Sequence, residues 1–147
     1  MRVLKSFFIF IALVWVSFAI SSCKKEQTNI NPEAVKNVVG VWKIASVIRN
    51  GVEITQNFDF SAFLIEFKED GTYTVKNKVP FIISKNGTWA LDDGTHPLHI
   101  SFIQEGASQT LTNEFDYPVV EGVRRIVLRG SPGCASNTYQ YSLVAAE

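Results

Sequence analysis

The chain has 147 residues, enough for one domain of ordinary size once any targeting segment is set aside. Its 14 Lys and Arg are matched by 14 Asp and Glu, so there is no basic excess, and nucleic acid is excluded as an expected partner. Mean hydropathy is +0.10, raised by an apolar amino-terminal segment rather than by the remainder of the chain.

That segment begins with Arg2 and Lys5, the only charged residues before Cys23. Residues 7–20 are then apolar except for Ser17, a run of 14 residues. A bilayer-crossing helix needs about 20, so the run fits a cleaved hydrophobic leader. It ends in Ile20-Ser21-Ser22-Cys23, which resembles the lipobox of bacterial lipoproteins: aliphatic, small, small, cysteine. The resemblance implies cleavage between Ser22 and Cys23, a diacylglyceryl group on the Cys23 thiol, and a fatty acyl chain such as palmitate on the new amine. Residues 1–22 are then a signal peptide, and the chain from Cys23 onward carries 12 basic and 14 acidic side chains. One acyl chain holds a protein to a bilayer only marginally, at about 0.8 kcal/mol per buried methylene, whereas two or three anchor it firmly. The expected location is therefore the cell envelope, lipid-anchored at the outer membrane, facing the periplasm or the exterior. Lys24 departs from the aspartate retention signal of enteric lipoproteins. With Cys23 committed to lipid, Cys134 stands alone in Gly130-Ser131-Pro132-Gly133-Cys134 as a small turn residue.

Residues 23–37 read as a lipidated flexible tether, too polar to bury the surface that would offset ordering entropy. A helical turn is expected near Pro32 to Val38, with Asn31 as cap and Pro32 at the first helical position. Residues 38–147 form the folded domain. From Gly40 onward the pattern has period two, the mark of strands with one buried and one wet face. In the first strand Trp42, Ile44, Ser46 and Ile48 are assigned to one face and Lys43, Ala45, Val47 and Arg49 to the other. Eight strands are predicted near 39–49, 62–68, 72–78, 86–91, 97–104, 108–116, 122–129 and 137–145. Asn50-Gly51, Asp70-Gly71, Asn86-Gly87, Asp93-Gly94, Glu105-Gly106 and Glu121-Gly122 punctuate them as turns that accept positive φ. Consecutive hairpins make an antiparallel up-and-down meander, and eight strands close into a barrel without exposed edges.

Gly40-Val41-Trp42 resembles the G-x-W signature of lipocalins and other calycin barrels. Together with Phe67-Lys68-Glu69-Asp70-Gly71-Thr72-Tyr73 and Gly87-Thr88-Trp89-Ala90-Leu91, it resembles the lipocalin-like domains of Bacteroidetes lipoproteins over most of residues 38–145. The resemblance implies an all-β, eight-stranded lipocalin-like barrel with the tryptophan closing one end. Lipocalins also carry an arginine late in the barrel that packs over this tryptophan; Arg124, Arg125 and Arg129 are its nearest counterparts here.

The period-two pattern points Trp42, Phe63, Phe67, Tyr73, Trp89, Phe102, Phe115, Tyr139 and Tyr141 inward. A barrel of this size is either filled by its side chains or holds one small ligand. The function expected is binding of a small apolar or amphipathic ligand, lined by Trp42, Phe67, Tyr73, Trp89 and Tyr141. The alternative is a non-catalytic structural or protein-interaction lipoprotein with a solid barrel, contacting an envelope protein through Phe58, Phe60 and Phe81. Residues 51–62 and 78–85 are long enough to lid one end. His96 and His99 lie near Asp92 and Asp93, but residues three apart on a strand face opposite ways, so no metal is expected. Hydrolysis would require His96 and Asp92 within hydrogen-bond reach. Without a phosphate loop, a nucleophile elbow or paired carboxylates, no enzyme activity and no cofactor are expected. The domain is expected to be a monomer.

Overall fold

The computed structural model describes residues 33–77, 79, 82–131 and 136–146. Ten strands run through them: β1 (Gly40–Arg49), β2 (Val52–Glu53), β3 (Leu64–Phe67), β4 (Thr72–Lys76), β5 (Gly87–Leu91), β6 (His99–Gln104), β7 (Thr110–Asp116), β8 (Val119–Val120), β9 (Val123–Gly130) and β10 (Tyr139–Ala145). A 3₁₀ turn spans Thr55–Asn57, and no α-helix occurs among the described residues. Eight strands follow one another around the sheet in the order β1, β3, β4, β5, β6, β7, β9, β10, and β10 pairs antiparallel with β1 to close it. The protein is thus a closed antiparallel lipocalin-like barrel, with β2 and β8 as short additions to β1 and β9. Closure leaves no long unpaired edge on which another chain could template.

The strand limits expected from alternation agree with those observed to within two residues. The phase of β1 does not. Ile44 opposes Leu143 and Ser46 opposes Ser142, so Ala45 is an extra residue bulged out of the ladder. A bulge reverses the facing of everything beyond it. Val47, expected outside, is therefore fully buried, and Ile48, expected inside, is not. Asn50-Gly51 and Glu121-Gly122 are two-residue turns with positive φ at both positions, as expected. Asn86-Gly87 is not such a turn. Gly87 already belongs to β5, where a Cβ would lie 1.9 Å from the Ile103 carbonyl oxygen. Its glycine serves a close backbone crossing rather than a tight reversal.

The two ends of the barrel are closed differently. At the floor, residues 33–39 run across the opening without regular structure, so the helical turn expected near Pro32 to Val38 does not form over them. Val38 is fully buried, and its carbonyl accepts the Trp42 indole N–H at 2.8 Å. Tyr117 donates its hydroxyl to the Asn37 carbonyl at 2.5 Å, and the Lys36 amide donates to the Gly94 carbonyl at 2.7 Å. Glu33 pairs with His96 at 2.6 Å. The residues assigned by composition to the end of the tether, 33–37, thus hydrogen-bond to the barrel. Arg124 lies 4.8 Å over the Tyr117 ring, and Tyr117 meets Trp42 edge-on at 6.3 Å. The arginine expected over the tryptophan reaches it through a tyrosine.

At the opposite end, residues 51–63 and the described residues between 77 and 86 fold inward as a lid. Phe60, Phe63 and Ile83 join the core, with Ile54, Val79 and Ile82 packed against it. Asn77 donates its side-chain amide to the Ala62 carbonyl at 2.7 Å, tying the two segments together. Gln104 receives the amides of Ser84 and Lys85 at 2.9 and 3.0 Å. These bonds lie on exposed residues and fix the course of the two loops over the buried Phe60, Phe63 and Ile83.

Candidate functional site

The five residues expected to line an internal pocket occupy the core itself. Phe67 meets Trp89 edge-on at 5.2 Å and stacks near Phe102 at 6.3 Å, and Tyr73 meets Phe102 edge-on at 5.3 Å. Trp42 is buried over the floor, and Tyr141 is buried beside Tyr139 with parallel rings 6.0 Å apart. Phe67, Tyr73 and Trp89 are brought together; Trp42 and Tyr141 belong to separate groups of rings. Edge-on and offset ring pairs of this kind add roughly 0.5–1.5 kcal/mol each beyond area burial, so they make a filled core. Burial raises the Tyr73 hydroxyl pKa to about 12, with a smaller push from Glu105, and burial raises Tyr141 as well. Both hydroxyls stay protonated at neutral pH.

The residues expected to form a partner patch are divided. Phe60 is 5% exposed and turned into the core, so it offers a partner nothing; the reason is its position under the lid, beside Phe63. Phe58, 54% exposed, lies outside with its ring 5.9 Å from Phe60. Phe81, Cys134 and Cys23, the residue expected to carry lipid, lie outside the described residues.

His96 and His99 do not share a strand: His96 lies in the bend before β6, and His99 is the first residue of β6. His99 Nδ1 meets Asp92 Oδ2 at 3.0 Å, whereas His96 turns to Glu33 and to the Thr95 hydroxyl. The Asp92 partner is thus His99, not His96. Asp92 is held below the usual carboxylate range by the backbone N–H and the ring of His99, with further help from the amides of Leu98 and Asp93. Asp93 falls to about 2 because the amides of His96 and Thr95 and the Thr95 hydroxyl all donate to it. These bonds shape the turn into β6, a structural task for both aspartates. Among the described residues no three of His, Cys, Asp and Glu gather as a metal site.

Two concave features of the barrel adjoin the seam between β7 and β9. The two strands pair over three positions only, Glu114 with Arg129, Phe115 with Leu128 and Asp116 with Val127. Toward the lid they part, and β7 continues from Asn113 back to Thr110 paired on its other side with β6. Leu111 faces Phe102 across that ladder and so shares its inward face, yet it is 36% exposed. Two adjoining hollows occupy the gap, sharing Thr112, Gly130 and Ser131. The larger, about 620 Å³, runs over the outer face along a row of directly opposed residues: His99, Glu114, Arg129, Gln140 and Ile48. Arg129 donates to Gln140 at 2.9 Å and pairs with Asp116, so its charge is already matched. The smaller, about 290 Å³, is bordered among the described residues by Ile82, Leu111, Thr110, Thr112, Asn113, Gly130 and Ser131, none of them charged. Sequence reasoning missed this seam. Its one legible signal was Asn113, which shares the inward phase of Phe115 two residues on.

The family described as a domain of unknown function, DUF5004, matches residues 18–144. The chain belongs to that family. Neither a curated protein nor a solved structure matches the chain. The DUF5004 match takes in every barrel strand from β1 to nearly the end of β10.

Proposed function

We propose that this DUF5004 protein is a lipid-anchored envelope protein whose barrel binds one small amphipathic molecule in the β7–β9 seam. The observation that carries the reading is Leu111, an inward-phase residue left open to solvent where the two strands part. Apolar surface with a few converging polar groups, in a concave setting, is what small-molecule sites have in common. Thr110, Thr112 and Asn113 supply those polar groups. The anchoring half rests on Ile20-Ser21-Ser22-Cys23 and the apolar leader before it, with the outer membrane as the proposed location.

The two halves are tested separately. Cys23→Ser, expressed in the native host, should move the protein from the membrane fraction to the soluble fraction and remove the lipid mass from its amino terminus. An unlipidated wild-type chain would overturn the anchor. Native mass spectrometry of detergent-extracted wild-type protein should show one added small mass that Leu111→Asp loses; identical spectra would overturn the seam.

A second reading, the solid barrel as a protein-interaction module, draws support from the β8–β9 hairpin, where Val119, Val120 and Val123 are all exposed. Crosslinking in intact cells distinguishes it: a discrete partner adduct lost in a Val119→Ser/Val123→Ser variant supports this reading.

A further inference from the structure

Each end of the barrel carries a tight hairpin, and the two tips differ in chemistry. At the lid end β1 turns through Asn50-Gly51 into β2, with Arg49 opposite Val52 and Ile48 opposite Glu53. At the floor end β8 turns through Glu121-Gly122 into β9, with Val119 opposite Arg124 and Val120 opposite Val123. β9 pairs with β10 only from Arg125 onward and with β7 only from Val127, so this second tip stands beyond the ladder of the barrel. Its three valines are all exposed. Opposed residues share a face and successive residues alternate, which puts Val119 on one face of the hairpin and Val120 with Val123 on the other. The tip is therefore apolar on both faces. Leu98, just before β6, and Val35, on the segment across the floor, are exposed at the same end.

A flat protein partner would cover one face of such a tip and leave the valines of the other in water, whereas a lipid surface surrounds it. The tip also lies where the chain comes from the anchor. Residues 33–39 cross this end, and Tyr117, at the root of the hairpin, donates its hydroxyl to the Asn37 carbonyl. The ten peptide steps from Cys23 to Glu33 reach at most about 35 Å, so lipid on Cys23 keeps the floor within that distance of a bilayer. Arg124, exposed, lies over the Tyr117 ring one residue pair behind the turn; arginine and tyrosine settle at the headgroup level of membranes. Glu121 at the turn and the outer edge of β8, which pairs only with β9, both require water or headgroups. They limit the tip to the headgroup region.

We propose that the floor of the barrel is a lipid-facing surface: the β8–β9 tip sets Val119, Val120 and Val123 among the headgroups of the membrane that holds the anchor, with Arg124 on a headgroup phosphate. This rests on the anchoring reading above and adds an orientation to it. The lid, and the open end of the β7–β9 seam beside it, then face away from the bilayer.

The test uses the mature protein from its native host, reconstituted on vesicles of phosphatidylethanolamine and phosphatidylglycerol. In a Cys134→Ser background, Val120→Cys at the tip and Val52→Cys at the lid each carry a nitroxide. Its relaxation by oxygen, which concentrates in bilayers, is compared with relaxation by a water-soluble nickel chelate. The label at 120 should favour oxygen and the label at 52 nickel. Adding Val119→Asp/Val123→Asp, at exposed positions, should return the first label to water. Nickel preference at both positions, on protein that floats with the vesicles, overturns the docking and leaves the anchor standing. Protein that does not float overturns both. In native envelope vesicles, a label at 120 shielded from both relaxants would mean a protein seat and overturn lipid as the occupant. The comparison of positions 120 and 52 decides the matter even if the double aspartate variant folds poorly.

Discussion

Three neighbouring strand pairs of the barrel share three opposed positions or fewer, and two of them, β4–β5 and β7–β9, have opposite fates. β4 and β5 share only two opposed pairs, Thr72 with Thr88 and Tyr73 with Gly87. β7 and β9 share three. The first seam is nevertheless sealed. Asn86 reaches across to accept the Val75 amide at 3.0 Å, the Trp89 indole donates to the Thr72 carbonyl at 3.1 Å, and the Trp89 amide donates to Gly71 at 2.8 Å. Behind these bonds lie Phe67, Tyr73, Trp89 and Phe102 in mutual contact. The second seam has Asn113 and Gly130 where the first has rings. Missing ladder bonds alone do not open a barrel; side-chain size behind the gap decides.

The contrast can be broken most forcefully from the sealed side. Phe102→Ala removes the ring that both Phe67 and Tyr73 touch and should cost about 3–5 kcal/mol, read from the urea midpoint. A cost below about 1 kcal/mol would mean that the rings do not hold this seam. Gly87→Ala drives a methyl against the backbone oxygen of Ile103, and backbone cannot step aside, so a loss of about 3 kcal/mol is expected. Gly130→Ala meets only the end of the Asn113 side chain. It should cost about 1 kcal/mol in unfolding yet abolish binding at the open seam, a separation of stability from binding that Gly87→Ala cannot show.

The smallest effect lies at neither seam. Asp93, with its pKa near 2 against an ordinary value of 3.8, favours the folded state most above that ordinary value. Its contribution is lost as pH falls from about 4 toward 2. Protection of the Thr95 and His96 amides from hydrogen exchange, taken relative to the intrinsic rate at each pH, should therefore fall across that window in wild type. In Asp93→Asn protection should be lower at neutral pH and constant through the same window; parallel wild-type and variant profiles would sink the assignment.

Much of this architecture was legible in the residues. Alternation in 64–67, 99–104 and 139–145 located strands and their inner faces because a half-buried strand has no other way to hide its apolar side chains. The phase of β1 was not legible beyond Ile44, because Ala45 carries no mark of a bulge and Val47 and Ile48 are equally apolar. Likewise Asn86-Gly87 has the composition of a turn, and only the approach of Ile103 shows why the glycine is there. The pocket was sought among the aromatics, where sequence shows bulk but not whether bulk leaves room. The hollows at the β7–β9 seam lie where pairing stops, a property of register that a linear pattern does not carry.

The closure of the floor also determines how the domain responds to load. A pull from the amino-terminal side is met first by the Glu33–His96 pair, next by the Lys36–Gly94 and Tyr117–Asn37 bonds, and then by Val38 with its carbonyl on the Trp42 indole N–H. Those contacts precede β1 along the chain, which is itself held between β3 and β10. Tension strong enough to strip residues 33–38 from the floor would bare the underside of Trp42 to water while the eight-stranded cylinder stayed wound.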